Sequence, residues 1–410
     1  MTQPRAAHRL DEQALGAYLE AHLSGFHGPL TLTPFAGGQS NPTFLLSAAD
    51  TRYVLRKKPP GKLLPSAHQV EREHRIITAL RATDVPVPRT HLLCEDDGVI
   101  GTPFYLMEHV EGRILRDPAL PTIPVAERAA YHLAMADVLA RLHLVDFRGL
   151  GLADYGKPEG FVARQVARWT AQYEASKTET RPDMDSLSAW LAGHLPEEVP
   201  PTIIHGDFRI DNLVFHPTEP RVIAVLDWEL STLGNPYSDV AYACLAYHLA
   251  AGSPGIPGLG GLDLAAEGIP AEGAFVEAYC GRMGIEEIPS WRFFLAFALF
   301  RLAAITQGVY ARALQGNASA ENALKVGGLS AGLAGVGWRL VGGLGQEQCR
   351  SRAVDSLGGA RLHAPQVETW GRDGSGRLQG EAPEGLPGRS CAECRSLAVG
   401  SFGRARLHTP

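Results

Sequence analysis

The stretch that decides the fold is His205-Gly206-Asp207-Phe208-Arg209-Ile210-Asp211-Asn212, then Leu213-Val214-Phe215, a turn at His216-Pro217-Thr218-Glu219-Pro220, and Val222 to Leu226 leading into Asp227-Trp228-Glu229. Two short apolar runs around a polar, Pro-containing turn read as a β-hairpin. A hairpin returns the chain to its start, so Asn212, before the first strand, and Asp227, after the second, come to lie opposite one another. An amide and a carboxylate side by side suit magnesium, a hard ion that takes oxygen ligands and keeps waters and substrate phosphates as the others. Asp207 precedes Asn212 by five positions, which holds it just beyond the pair, where an acceptor hydroxyl has to be oriented. The expectation is phosphoryl transfer from ATP, with Mg2+, to a hydroxyl of a small molecule: Asp207 is catalytic, and Asn212 and Asp227 bind the metal. A His-Gly-Asp tripeptide alone would say little, since Asp is an ordinary turn residue. The joint pattern carries the reading.

Outward from this stretch the chain changes character. Short strand-like runs at Thr31 to Phe35, Thr43 to Ser47, Tyr53 to Arg56 and Phe104 to Met107 surround a helical segment, Ser66 to Ala82, with Val70, Ile76, Ile77 and Leu80 on one side. After Gly112 long helical stretches take over, such as Val125 to Leu144. The expected fold is α+β and bilobal, like a protein kinase: a strand-rich lobe at 1–110, a helix-rich lobe at 111–340, and a Gly/Arg-rich tail at 341–410. That tail has 13 Gly, nine Arg, no Lys and no apolar periodicity, and is expected to be largely disordered. Phosphoryl transfer also needs a cation near the nucleotide phosphates, itself held by a carboxylate; Arg56 and Glu73 fit those roles. The loop at 37–41 can offer backbone amides and the Ser40 hydroxyl to phosphates, although it lacks a GxGxxG pattern. Lys57 is expected on the opposite strand face and, with Lys58 and Lys62, in a solvated basic loop.

The bulk numbers exclude other classes. The chain has 410 residues, 45% of them hydrophobic, enough for a full core. A net charge of -6 offers no broad field for nucleic acid or anionic lipid. Six cysteines are too sparse to staple the fold, and Cys391 and Cys394 form a CxxC with no second pair nearby, so no zinc site is expected. The N-terminus lacks a signal peptide, and no run of about 18 apolar residues is evident, so neither secretion nor a membrane span is expected. The expected location is cytoplasmic, or mitochondrial or peroxisomal in a eukaryote.

With these motifs the chain resembles the aminoglycoside phosphotransferase and choline kinase superfamily. HGDFRIDN carries Gly206 where protein kinases have Arg, and LDWE replaces their DFG. The resemblance covers about residues 30–340. In GGQSNPTF, YVLRKKPPG, LLPSAHQVERE, VIGTPFYLMEHVEGRI and RVIAVLDWELSTLG the chain is similar to the kinase-like domain of acyl-CoA dehydrogenase family members 10 and 11 and to stand-alone bacterial relatives. The resemblance implies that adenine lies against the linker, with backbone groups of Glu108 and Val110 taking its hydrogen bonds and Met107 at the back of the pocket. It makes Asp239 a structural brace for the catalytic loop. It implies a 4-hydroxyacyl-CoA as acceptor and, since no dehydrogenase domain is evident here, a separate acyl-CoA dehydrogenase as partner. Arg56 departs from the family, which mostly has Lys there. Arg301 or Arg312 could meet CoA phosphates, His143 reads as a satisfied core histidine, and His205 as a residue that shapes the loop. The alternatives are a pseudokinase-like nucleotide-binding module, a kinase for an aminoglycoside or choline-like alcohol, and a metal-dependent hydrolase using Asp207 and Asp227.

Overall fold

Alternating apolar residues build the first lobe. Helix α1 (Glu12–His22) is capped by Asp11, whose side chain accepts from the N–H groups of Gln13 and Ala14. Then follow β1 (Leu30–Pro34), β2 (Thr43–Ala48), β3 (Thr51–Lys57), α2 (Val70–Leu80), β4 (Thr90–Cys94), one helical turn α3 (Asp97–Ile100) and β5 (Phe104–Glu108). In this computed structural model the five strands form one antiparallel sheet in the order β1-β2-β3-β5-β4. Neighbouring residues go to opposite faces: Leu55, Phe104 and Leu106 pack with Leu15 and Leu19 of α1, whereas Val54, Tyr105 and Met107 join the core that includes α2. On α2 the buried positions Val70, Glu73, Ile77 and Leu80 recur at helical spacing, so a carboxylate lies within an apolar stripe.

The second lobe contains α4 (Val125–His143), α5 (Phe161–Ser176), α6 (Pro182–Gly193), the short strands β6 (Thr202–Ile204), β7 (Leu213–Phe215), β8 (Val222–Val225) and β9 (Thr232–Gly234), then α7 (Tyr237–Ala243), α8 (Leu245–His248), α9 (Glu272–Met283), α10 (Trp291–Leu314), α11 (Ala323–Gly327) and α12 (Leu329–Asp355). Strand β7 pairs with β8 and β6 with β9, both antiparallel. Together the lobes give the α+β, kinase-like architecture expected from the sequence. Described are residues 10–35, 41–59, 68–253, 256–315 and 323–355. All but Val354 and Asp355 of these lie in one compact unit, Met1–Ala353, and the rest of the chain forms a second. Ser40, Lys62, Cys391 and Cys394 lie outside the described residues.

Three expectations need correcting. Helix α12 runs to Asp355, so 341–355 is helical; Gly342, Gly343 and Gly345 have no side chain with which to show a helical period. Helix α10 is long and apolar enough to cross a membrane, with a mean hydropathy of 1.6, and its arginines conceal that run. It is a core helix: 78% of the apolar window is buried, packed by α5, α6 and α7. Lys57 is buried rather than solvated, and burial lowers its pKa; Lys58 pairs with Glu71 at 2.9 Å.

Candidate active site

The hairpin closes as its sequence requires. Leu213 is opposite Val225, and Leu226 N–H donates to Asn212 O at 2.8 Å, which seats Asn212 and Asp227 at the same end. A short 3-10 turn, Ile210–Asn212, brings the Asn212 side chain back onto Asp207, where its Nδ2 donates to the backbone oxygen at 2.8 Å and to Oδ2 at 3.0 Å. That leaves the Asn212 amide oxygen for a cation. Asp227 adopts φ 65°, the left-handed region, a costly conformation for a residue with a side chain and one often found at functional sites.

The catalytic loop is held from below. Buried Asp239 accepts from His205 N–H at 2.5 Å and from Gly206 N–H at 2.8 Å. Burial works to raise its pKa, yet His143, His205 and the Gly206 amide together hold it below the usual carboxylate value. His205 is fully buried, with Nε2 2.9 Å from Leu226 O and Nδ1 3.2 Å from Asp207 N–H, so it ties the loop to the hairpin. His143 is buried too, its Nδ1 2.8 Å from the Tyr279 hydroxyl. Gly206 has φ 84°, and an added Cβ would lie 2.7 Å from Leu230 O; only glycine fits that turn. Arg301 donates to Gly206 O at 2.6 Å with its guanidinium over the Tyr242 and Trp169 rings, so it braces the loop instead of facing outward for CoA phosphates. Arg312 is exposed.

From the sheet, Arg56 reaches the same place. Its Nε lies 2.7 Å from Glu73 Oε2, its Nη2 2.5 Å from Asp227 Oδ1 and 3.6 Å from Glu229 Oε2. Burial works to lower the Arg56 pKa, but Glu73 and Asp227 outweigh it and hold the guanidinium charged. Glu73 is pushed up to about 7, first by burial, with Asp227 and Glu229 adding to the rise and Arg56 opposing it. Neither Asn41 nor Tyr105 was singled out from sequence, although both complete this cluster. Asn41 Nδ2 donates to Glu73 Oε1 at 2.6 Å, and the Tyr105 hydroxyl donates to Glu73 Oε2 at 3.1 Å. Tyr105 was findable, because it is the register partner of Arg56 across the β3–β5 pair. Tyr242 is another missed residue: it is buried, and burial first, then the charge of adjacent Asp207, keeps its phenol protonated.

The proposed base-binding residues lie at the end of β5. Met107 is buried, Glu108 exposed and Val110 half-buried. Glu108 N–H already donates to Arg89 O at 2.8 Å, so any hydrogen bond it makes to a base runs through its carbonyl. The charge balance suits a divalent cation: one guanidinium meets the carboxylates of Glu73, Asp227 and Glu229, and two oxygen donors, from Asn212 and Asp227, lie at the hairpin mouth. Among the described residues no cluster of three His, Cys, Asp or Glu is placed to hold a metal ion.

The chain is similar to known proteins. A family model described as the phosphotransferase enzyme family matches residues 31–277. Mouse acyl-CoA dehydrogenase family member 10 is 48% identical over 340 residues, covering 82% of this chain and 32% of the mouse protein. Rat family member 11 is 48% identical over 321 residues, 77% of this chain and 41% of the rat protein. This chain therefore spans well under half the length of those relatives. A crystal structure from Ralstonia eutropha JMP134, designated an aminoglycoside phosphotransferase, is 48% identical, with a TM-score of 0.74 over 81% of this chain and 98% of that one. A thermostable mutant of an aminoglycoside phosphotransferase, solved in ternary complex with AMP-PNP and hygromycin B, shares the fold alone, at 15% identity and a TM-score of 0.52 over 80% of this chain and 98% of that one.

Proposed function

As the chain belongs to the phosphotransferase enzyme family, and is thus a small-molecule kinase with an alcohol group as acceptor, we propose that it transfers the γ-phosphoryl group of ATP to the hydroxyl of a 4-hydroxyacyl-CoA. The observation that carries this reading is the meeting of Asp207, Asn212, Asp227 and Arg56 at one point between sheet and hairpin. The acyl-CoA acceptor is supported by relatives named for acyl-CoA dehydrogenation.

Asp207 orients the acceptor hydroxyl and takes its proton as the oxygen attacks phosphorus; the leaving oxygen stays with ADP. Asn212 fixes that carboxylate through Nδ2. Asn212 and Asp227 would hold Mg2+, which supplies charge neutralisation on the phosphates when bound. Arg56, held by Glu73 on one edge and Asp227 on the other, would add its positive charge beside the phosphates. Glu108 and Val110 would take the adenine, with Met107 behind it. A separate acyl-CoA dehydrogenase would receive the phosphorylated product. The test is an assay with ATP, Mg2+ and 3-, 4- and 5-hydroxyacyl-CoAs, choline, a sugar and an aminoglycoside. A phosphomonoester on the 4-hydroxyacyl-CoA supports the reading; turnover of only choline, sugar or aminoglycoside refutes it.

A further inference from the structure

The catalytic loop also forms one wall of a cavity. Arg209, Ile210 and Asp211 line it on that side, and Tyr242, whose phenol lies against Asp207, joins them. Most of the remaining wall is apolar: Met135 of α4, Leu245 of α8, Leu249 and Leu259 beyond it, Phe275 of α9 and Leu302 of α10. His132 also lines it, but burial pushes its pKa down to about 4, so it adds no charge at neutral pH. The charged lining groups are Arg209, which pairs with Asp211 at 2.8 Å, and exposed Arg116, whose charge acts on Asp211. Tyr247, another lining residue, has a buried hydroxyl with no hydrogen-bond partner among the described residues, a single polar point that an alkyl chain leaves unpaired.

We propose that this cavity receives the alkyl arm of the acceptor, the carbons beyond the phosphorylated hydroxyl. The inference rests on the hydroxyacyl reading above and extends it. A secondary alcohol carries two arms on its hydroxyl-bearing carbon. With that hydroxyl at Asp207, one arm enters the cavity past Tyr242 and Arg209, and the other, bearing the thioester, stays outside. A saturated chain loses no hydrogen bond on entering such a wall, whereas the ammonium and hydroxyl groups of an aminoglycoside would be stripped of water there. The cavity would thus select acceptors by the length of the apolar chain on the far side of the hydroxyl.

The test separates the cavity from the reaction. Dissociation constants are measured by calorimetry for straight-chain acyl-CoAs without a hydroxyl, on the whole protein and on Ala246→Phe and Ala243→Leu, two cavity-lining positions on different helices. In the wild type each added methylene is expected to tighten binding by about fourfold until the cavity is full. The trend is expected to vanish in whichever variants fold, with ATP affinity unchanged. Affinity independent of chain length, or a trend that survives cavity filling, overturns the proposal. If the trend and its loss are seen but no hydroxyacyl-CoA is phosphorylated, the assigned acceptor falls and the apolar site stands. If hydroxyacyl-CoAs are phosphorylated with a KM blind to chain length, the cavity assignment falls and the kinase reading stands.

Discussion

At the scale of single residues, Asp207 and Arg56 divide the work between acceptor and nucleotide. Asp207 touches Asn212 and Tyr242 but makes no contact with Arg56 in the described structure, so its replacement should act on transfer alone. Asp207→Asn is predicted to lower kcat by about 10^3-fold while leaving ATP affinity within about twofold; equal loss of both, read by steady-state kinetics and calorimetry, would contradict that role. Arg56 uses two edges of its guanidinium, one on Glu73 and one on Asp227. Arg56→Lys supplies a point charge in place of a fork, so the KM for ATP is expected to rise about tenfold with a smaller change in kcat. An unchanged KM would remove Arg56 from the nucleotide site. The spacing of Asp207, Asn212 and Asp227 was legible because one hairpin sets it locally. Asn41 and Tyr242 were not, because only packing of distant segments brings them in. Arg301 was misjudged for the same reason: nothing in its helix announces that Gly206 O is its partner.

At the scale of elements, α2 and α4 each bury an ionisable side chain on the core face, Glu73 and His132, against the usual pattern of amphipathic helices. Glu73 lies in the apolar stripe of α2, and such a carboxylate in a sequence-level stripe is itself a signal of a partner across the core. His132 on α4 is buried with Nε2 3.0 Å from Pro118 O, and its pKa falls from 6.5 to about 4. A histidine whose folded pKa is depressed contributes stability that is present above about pH 6.5 and is lost as pH falls toward 4. Between pH 7 and pH 5 the folded state should lose about 2 kcal/mol from this group. Urea unfolding at both pH values, on the wild type and on His132→Leu, checks this; the same pH dependence in both would place the acid sensitivity elsewhere. The boundaries of α12 and the burial of α10 were hidden from the sequence by glycines that show no period and by arginines that break up an apolar run.

At the scale of the whole molecule, the active site exists only where the two lobes meet. Arg72 of α2 is a tie between them: it donates to Tyr155 O at 2.8 Å and Ser231 O at 3.2 Å, and its guanidinium lies 4.0 Å over the Tyr155 ring. Arg72→Ala should cost about 1–2 kcal/mol of stability in urea unfolding and raise the KM for ATP, because Arg56 and Asp227 approach from opposite lobes. Loss of stability with an unchanged KM would mean that the tie does not align the site. The bilobal order was legible from the switch between strand-like and helical periods, and the lobe-bridging contacts were not. The most direct measurement of the central claim follows phosphorus itself, by 31P NMR of the protein with ATP, Mg2+ and a 4-hydroxyacyl-CoA. The account predicts ADP and a new phosphomonoester in equal amounts with the wild type and neither with Asp207→Asn. A phosphomonoester formed equally well by Asp207→Asn would contradict it.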